Sequence, residues 1–168
     1  MNMKLMHIFE DIADDSAYKK WKRDNVTYRG VSSGAGVRSA ILGKGLYTAP
    51  ASNKSFAKSY GTLMMVVGGV PEKPKVFNTL NDWEIFFYNK LVYPYSEKKG
   101  NDFPDKRDFE AETTIEDEMQ RLGYDGVIIK GREMVKYDAK DVKMFKTENE
   151  LRSYYDAVVA KSQGQYKK

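Results

Sequence analysis

The chain has no cysteine and a single histidine, His7, among its 168 residues. These absences remove disulfide frameworks, thiol nucleophiles, cysteine–histidine zinc sites and most serine–histidine catalytic arrangements. His7 alone reads as a structural residue. Any chemistry must run on carboxylates, Arg, Lys, Tyr, Ser and Thr, with a bound cofactor as the remaining source of reactivity. Also missing is an apolar run approaching the roughly 20 residues that a membrane helix needs, so no membrane partner is expected. The N-terminus meets Glu10, Asp11, Asp14 and Asp15 too early for a secretory signal, and a cytoplasmic protein is expected. Internal repeats and low-complexity segments are lacking too.

What remains is 41% hydrophobic and 31% charged, the composition of one globular domain. The expected boundaries are a domain over 1–162 and a basic tail over 163–168. A net charge of +4 permits anionic partners without requiring them. Apolar spacing predicts a helix over 8–22, a strand over 25–31, a small-residue loop over 32–36 and an extended segment at 45–48. Ser52 or Asn53 caps a helix to about Tyr60, closed by Gly61. The apolar run 63–70 and the segment 75–77 read as central strands. A helix follows over 81–89, then a surface loop over 93–108 rich in charge, Pro and Gly. Thr113 with Glu116 forms a capping-box pattern for a helix that Gly123 ends, and Thr147 with Glu150 starts a last one to about Lys161. The segment 141–145 is extended. Strands gather mid-chain without regular strand–helix alternation, which is an α+β pattern.

Residues 124–138 read as two strands joined at Lys130-Gly131. On the second strand Glu133, Val135 and Tyr137 share one side, while Arg132, Met134 and Lys136 share the other. Glu133 therefore points inward, where a carboxylate must be paired, protonated or set in a cleft. The alternative is a strand end at which Glu133 meets solvent or a lysine.

Two glycine-rich candidates fail. Gly34-Ala-Gly36-Val-Arg-Ser39 starts like a dinucleotide fingerprint but has serine in place of the third glycine, and no strand–turn–helix unit encloses it. Gly43-Lys44 is followed by Gly45 where a P-loop needs Ser or Thr.

Three segments remain: Thr27-Tyr28-Arg29-Gly30, then Gly43-Lys44-Gly45-Leu46-Tyr47-Thr48-Ala49 leading to Tyr60, and Gly131-Arg132-Glu133-Met134-Val135-Lys136-Tyr137-Asp138. In order and type they resemble the signature motifs of the ADP-ribosyltransferase superfamily, nearest to its poly(ADP-ribose) polymerase and diphtheria-toxin branch. The resemblance implies a split central β-sheet flanked by helices, with a cleft that binds NAD as substrate. It implies that Arg29 grips the adenosine ribose or phosphates and that the backbone of Gly30 pairs with the nicotinamide amide. Tyr47 and Tyr60 would wall the nicotinamide, and Glu133 would bind the 2′-hydroxyl of its ribose and stabilise positive charge as nicotinamide leaves. The family's amide-binding serine falls on Ala57 here, with Ser55 and Ser59 flanking it, so Ser55 is the substitute candidate. Arg29 stands where this branch has histidine. Gly131 stands where arginine-modifying toxins carry Glu or Gln, so an arginine acceptor is not supported.

The expected activity is thus mono-ADP-ribosylation of a macromolecular acceptor, protein or nucleic acid, compatible with a toxin or phage effector and requiring no metal. NAD glycohydrolysis is a second expectation, and a catalytically inactive binding module on the same fold a third.

Overall fold

A computed structural model describes residues 15–31, 40–100, 103 and 105–164. His7, the first half of the expected N-terminal helix, the 32–36 loop and most of the basic tail lie outside the described residues. Residues 15–25 are helical (α1), with Tyr18 and Trp21 three apart on the face that enters the core.

Two sheets follow. In the first, β1 (Val26–Val31) pairs antiparallel with β3 (Thr62–Val67) from Val26↔Val67 to Val31↔Thr62, and β7 (Lys143–Phe145) pairs with the other side of β3. In the second, the order is β2 (Leu46–Thr48), β6 (Glu133–Lys136), β5 (Gly126–Ile129), β4 (Pro74–Phe77). Among the described strands only β4 and β5, in this second sheet, pair in parallel. Among the described residues one backbone bridge joins the sheets, in which Tyr28 and Ala49 exchange hydrogen bonds of 2.9 and 2.7 Å. The pairing goes no further because Pro50, next in the chain, has no N–H to contribute. Instead the backbone turns into a 3₁₀ segment, Ala51–Asn53, and the short helix α2 (Lys54–Lys58).

Each sheet has its own apolar core. Tyr18, Trp21, Val26, Tyr28, Met65, Leu151 and Tyr155 pack at the three-stranded sheet. Tyr47, Trp83, Phe87, Phe109, Met119, Val127 and Val135 pack at the four-stranded one. The helices over this second core begin with α3 (Leu80–Phe86), capped by Thr79, whose side chain accepts from the N–H of Asp82. A π-helical turn, Phe87–Val92, carries α3 into α4 (Tyr93–Lys98). Then come α5 (Lys106–Glu112) and α6 (Ile115–Arg121). At the C-terminal end α7 (Glu148–Tyr154) continues through a second π-helical stretch, Tyr155–Val159, into α8 (Ala160–Gly164).

Four expectations are corrected. Residues 93–98 and 106–112 are helical rather than a surface loop: Pro94 follows the π turn, in the first turn of α4, where its missing N–H is tolerated. β4 is the outer strand of its sheet rather than a central one, which suits a strand that starts on proline. The cap of α6 is Thr114, one residue later than the Thr113 pattern, and it accepts from Asp117 N at 3.1 Å. The expected helix around 52–60 is also broken into two short pieces, and Asn53 makes no capping bond. Among the described residues no helix is long and apolar enough to cross a membrane.

Candidate functional site

The β5–β6 hairpin sets the position of Glu133. Ile129 pairs with Glu133, and the N–H of Arg132 donates to Ile129 O at 3.1 Å, leaving Lys130 and Gly131 at the turn's centre. Gly131 has φ +71° and among the described residues no non-glycine residue has positive φ, the pattern of a type II turn with glycine at its third position. The strand begins at Glu133, whose neighbours Met134 and Val135 are also buried. Glu133 itself is 3% exposed, so its inward direction is a property of the fold.

Arg132 departs from simple face alternation because it belongs to the turn rather than to the strand. Its Nε lies 3.7 Å from Oε1 of Glu133, and its guanidinium sits over the ring of Phe56, 5.4 Å from the centroid. Its carbonyl oxygen accepts from Nδ2 of Asn53 at 3.3 Å. Thus α2 and the segment before it are tied to the residue preceding Glu133.

β1 enters the same region from the other sheet. Nη1 of Arg29 donates to the carbonyl oxygen of Tyr47 at 3.0 Å. Gly30 lies so close to α2 that a Cβ there would fall 1.9 Å from Ala57 O. Its lack of a side chain therefore has a packing reason independent of any ligand. Ala57, on the position where the resemblance would put a serine, is buried against this strand. Ser55 is exposed, and Oγ of Ser59 donates to Phe56 O at 2.6 Å within its own helix. Tyr60 is 39% exposed and meets Phe56 edge to face at 5.6 Å.

Tyr47 is a buried core residue whose hydroxyl closes the preceding turn, donating to Gly43 O and accepting from Leu42 N at 3.0 Å. Two more side chains hold that turn. Tyr137 donates to Leu42 O at 2.8 Å, and the Glu116 carboxylate accepts from Lys44 N at 3.0 Å. Burial raises the pKa of the Tyr137 hydroxyl, which keeps it a donor. Gly43 has φ +102°, a left-handed conformation, and a Cβ there would also press on Tyr137.

Arg29, Gly30 and Tyr47 thus converge with the Glu133 strand where the sheets meet, since Tyr47 pairs with Val135, two residues along from Glu133. Ser55 and Tyr60 lie on or just after α2, which adjoins the same place through Asn53 and Phe56. Sequence reasoning missed Asn53, Phe56, Glu116 and Arg132 as members of this neighbourhood. The hints were Asn53 and Glu116, both assigned capping roles. A separate groove of about 570 Å³ is lined by Ile41, Leu80, Trp83, Phe87, Tyr88 and Lys106, among others, and none of the expected site residues lines it. Among the described residues no cluster of three or more His, Asp or Glu side chains could hold a metal ion. What the arrangement can do chemically is place one buried carboxylate beside a guanidinium, suited to stabilising developing positive charge or accepting a hydrogen bond from a sugar hydroxyl. Compared with protein-family models, curated proteins and solved structures, the chain gives no match.

Proposed function

We propose that the chain transfers ADP-ribose from NAD to a macromolecular acceptor. The observation that carries this reading is the convergence of three segments far apart in sequence, around Arg29-Gly30, Tyr47 and Glu133, at the junction of two sheets bridged at Tyr28 and Ala49. The same junction supports the finer fold reading of a split ADP-ribosyltransferase-like sheet, and the motifs that resemble that family are the ones that meet there.

In this reading NAD lies across the junction, with Arg29 on the phosphate or adenosine side and the nicotinamide end near Gly30 and α2. The glycosidic bond between C1′ of the ribose and the nicotinamide nitrogen breaks, and its electron pair leaves with neutral nicotinamide. Glu133, hydrogen-bonded to the 2′-hydroxyl, stabilises the oxocarbenium-like ribose. A nucleophile of the acceptor then bonds to C1′ and loses its proton. Tyr47, buried and bonded at its hydroxyl, is assigned a supporting part: its carbonyl holds Arg29 and its ring backs the turn at 42–45. Tyr60, partly exposed just after α2, is the better candidate to stack on nicotinamide, with Ser55 in that short helix.

The test incubates NAD, labelled in its adenosine part, with purified protein and a cell lysate. Label on protein or on nucleic acid supports the transferase and identifies the acceptor class. Label only in free ADP-ribose would replace it with NAD hydrolysis, and no cleavage together with no NAD binding would reduce the chain to a binding module.

A further inference from the structure

The Nε–H of Arg132 is buried and makes no hydrogen bond, although the side chain as a whole is 41% exposed. A buried donor without an acceptor is costly and calls for a reason. It lies 3.7 Å from Oε1 of Glu133, just beyond hydrogen-bond reach. Arg132 is nonetheless held at three points. Its N–H is bound to Ile129 O, its carbonyl is bound by Asn53, and its guanidinium face rests on Phe56.

We infer that Arg132 is the positioning residue of Glu133: its Nε–H closes on Oε1 when substrate fills the junction, fixing the orientation of the carboxylate. This rests on the reading of Glu133 as the group that acts on NAD. The geometry favours it over a general electrostatic role. Lys130 adds a charge in the same turn, but it is exposed, whereas Arg132 buries its Nε and rests its guanidinium on Phe56. Catalytic hydrogen bonds are commonly long before substrate binds and shorten in the complex. Asn53 and Phe56 belong to the segment packed on Gly30, so a ligand held at Gly30 meets the same segment that holds Arg132.

Arg132→Gln, Arg132→Lys and Lys130→Gln separate these roles. For Arg132→Gln, kcat for NAD cleavage falls on the order of tenfold or more with KM little changed, the pattern of an interaction made in the transition state. Arg132→Lys keeps a charge but has no Nε–H, so it does not restore kcat. Lys130→Gln matches wild type. A rise in KM with kcat intact, or equal loss in Lys130→Gln, overturns the inference. A second readout needs no activity: in a ¹³C titration of carboxyl groups, Glu133 titrates at higher pH in Arg132→Gln than in wild type because a neighbouring cation is gone. An unmoved Glu133 signal overturns the pairing. Failure of wild type to cleave NAD, with the Glu133 signal moved, overturns the proposed function and leaves the pairing supported.

Discussion

Arg29 of the three-stranded sheet donates to the backbone carbonyl of Tyr47 in the four-stranded sheet, 3.0 Å away. Beside the Tyr28–Ala49 bridge, this is a side-chain fastening between the two layers, and it holds a cation at the junction that the proposed function assigns to NAD. Replacing Arg29 with Ala should lower stability by about 1 kcal/mol, since the bond is charge-assisted but partly exposed. It should weaken NAD binding more than it slows a bound NAD. Denaturant midpoints and calorimetric titration with NAD measure the two effects.

Gly30→Ala is a structural test of the same junction. A Cβ 1.9 Å from Ala57 O cannot be accommodated by moving a side chain, because the obstacle is backbone. A loss of about 1–3 kcal/mol or more is expected from overpacking, read from the denaturant midpoint. A variant as stable as wild type would mean that α2 does not sit against β1.

Tyr47→Phe removes one hydroxyl that serves two buried backbone groups, Gly43 O and Leu42 N. Leaving them unpaired should cost about 1–3 kcal/mol, seen as a lowered melting temperature. The ring's packing is retained, so a much larger loss would point to a different role for the hydroxyl.

Gly131→Ala distinguishes strain from crowding. A Cβ at this position meets nothing within 4 Å, yet φ is +71°. The expected loss is about 1 kcal/mol from the left-handed backbone alone. Gly131→Asn should lose less, since asparagine tolerates this conformation, and thermal melts of the pair check the order.

Acid sensitivity should have a component in the terminal helices. Hydrogen bonds from Lys22 and from Tyr18, the latter at 2.8 Å, hold Glu148 below the usual carboxylate range. A folded-state pKa below the unfolded value, about 4.3 for glutamate, gives stabilisation that is present above that value and is lost as pH falls through the folded pKa. The stability difference between wild type and Glu148→Gln should therefore be seen at neutral pH and shrink below about pH 4. Since the Glu148 side chain is 58% exposed, salt should also shrink it.

Much of this fold is legible in the chain because its signals are local. Gly131 between two β-rich runs marks the hairpin, Thr147 marks the start of α7, and alternation anticipates a buried Glu133, although Met134 on the opposite face is buried as well. The helices at 93–98 and 106–112 are not legible in the same way. Pro94 and the charged residues after it read as loop, and their helicity depends on a π turn upstream and on burial of Phe109, both tertiary facts. In the site, residue types identify Arg29 and Glu133, but the place of Arg132 depends on its being the last turn residue rather than the first strand residue. Asn53 was legible as a cap and is used instead to hold Arg132, a choice between two partners that only the packed hairpin decides.

The central claim is that Glu133 acts on NAD at the junction of the sheets. Nicotinamide release from NAD by wild type and by Glu133→Gln, with both variants shown to be folded by circular dichroism, tests it most directly. A fall on the order of 10²- to 10³-fold in rate with the fold intact is the predicted result. Equal rates of release from the two proteins, or no release from wild type, would contradict it.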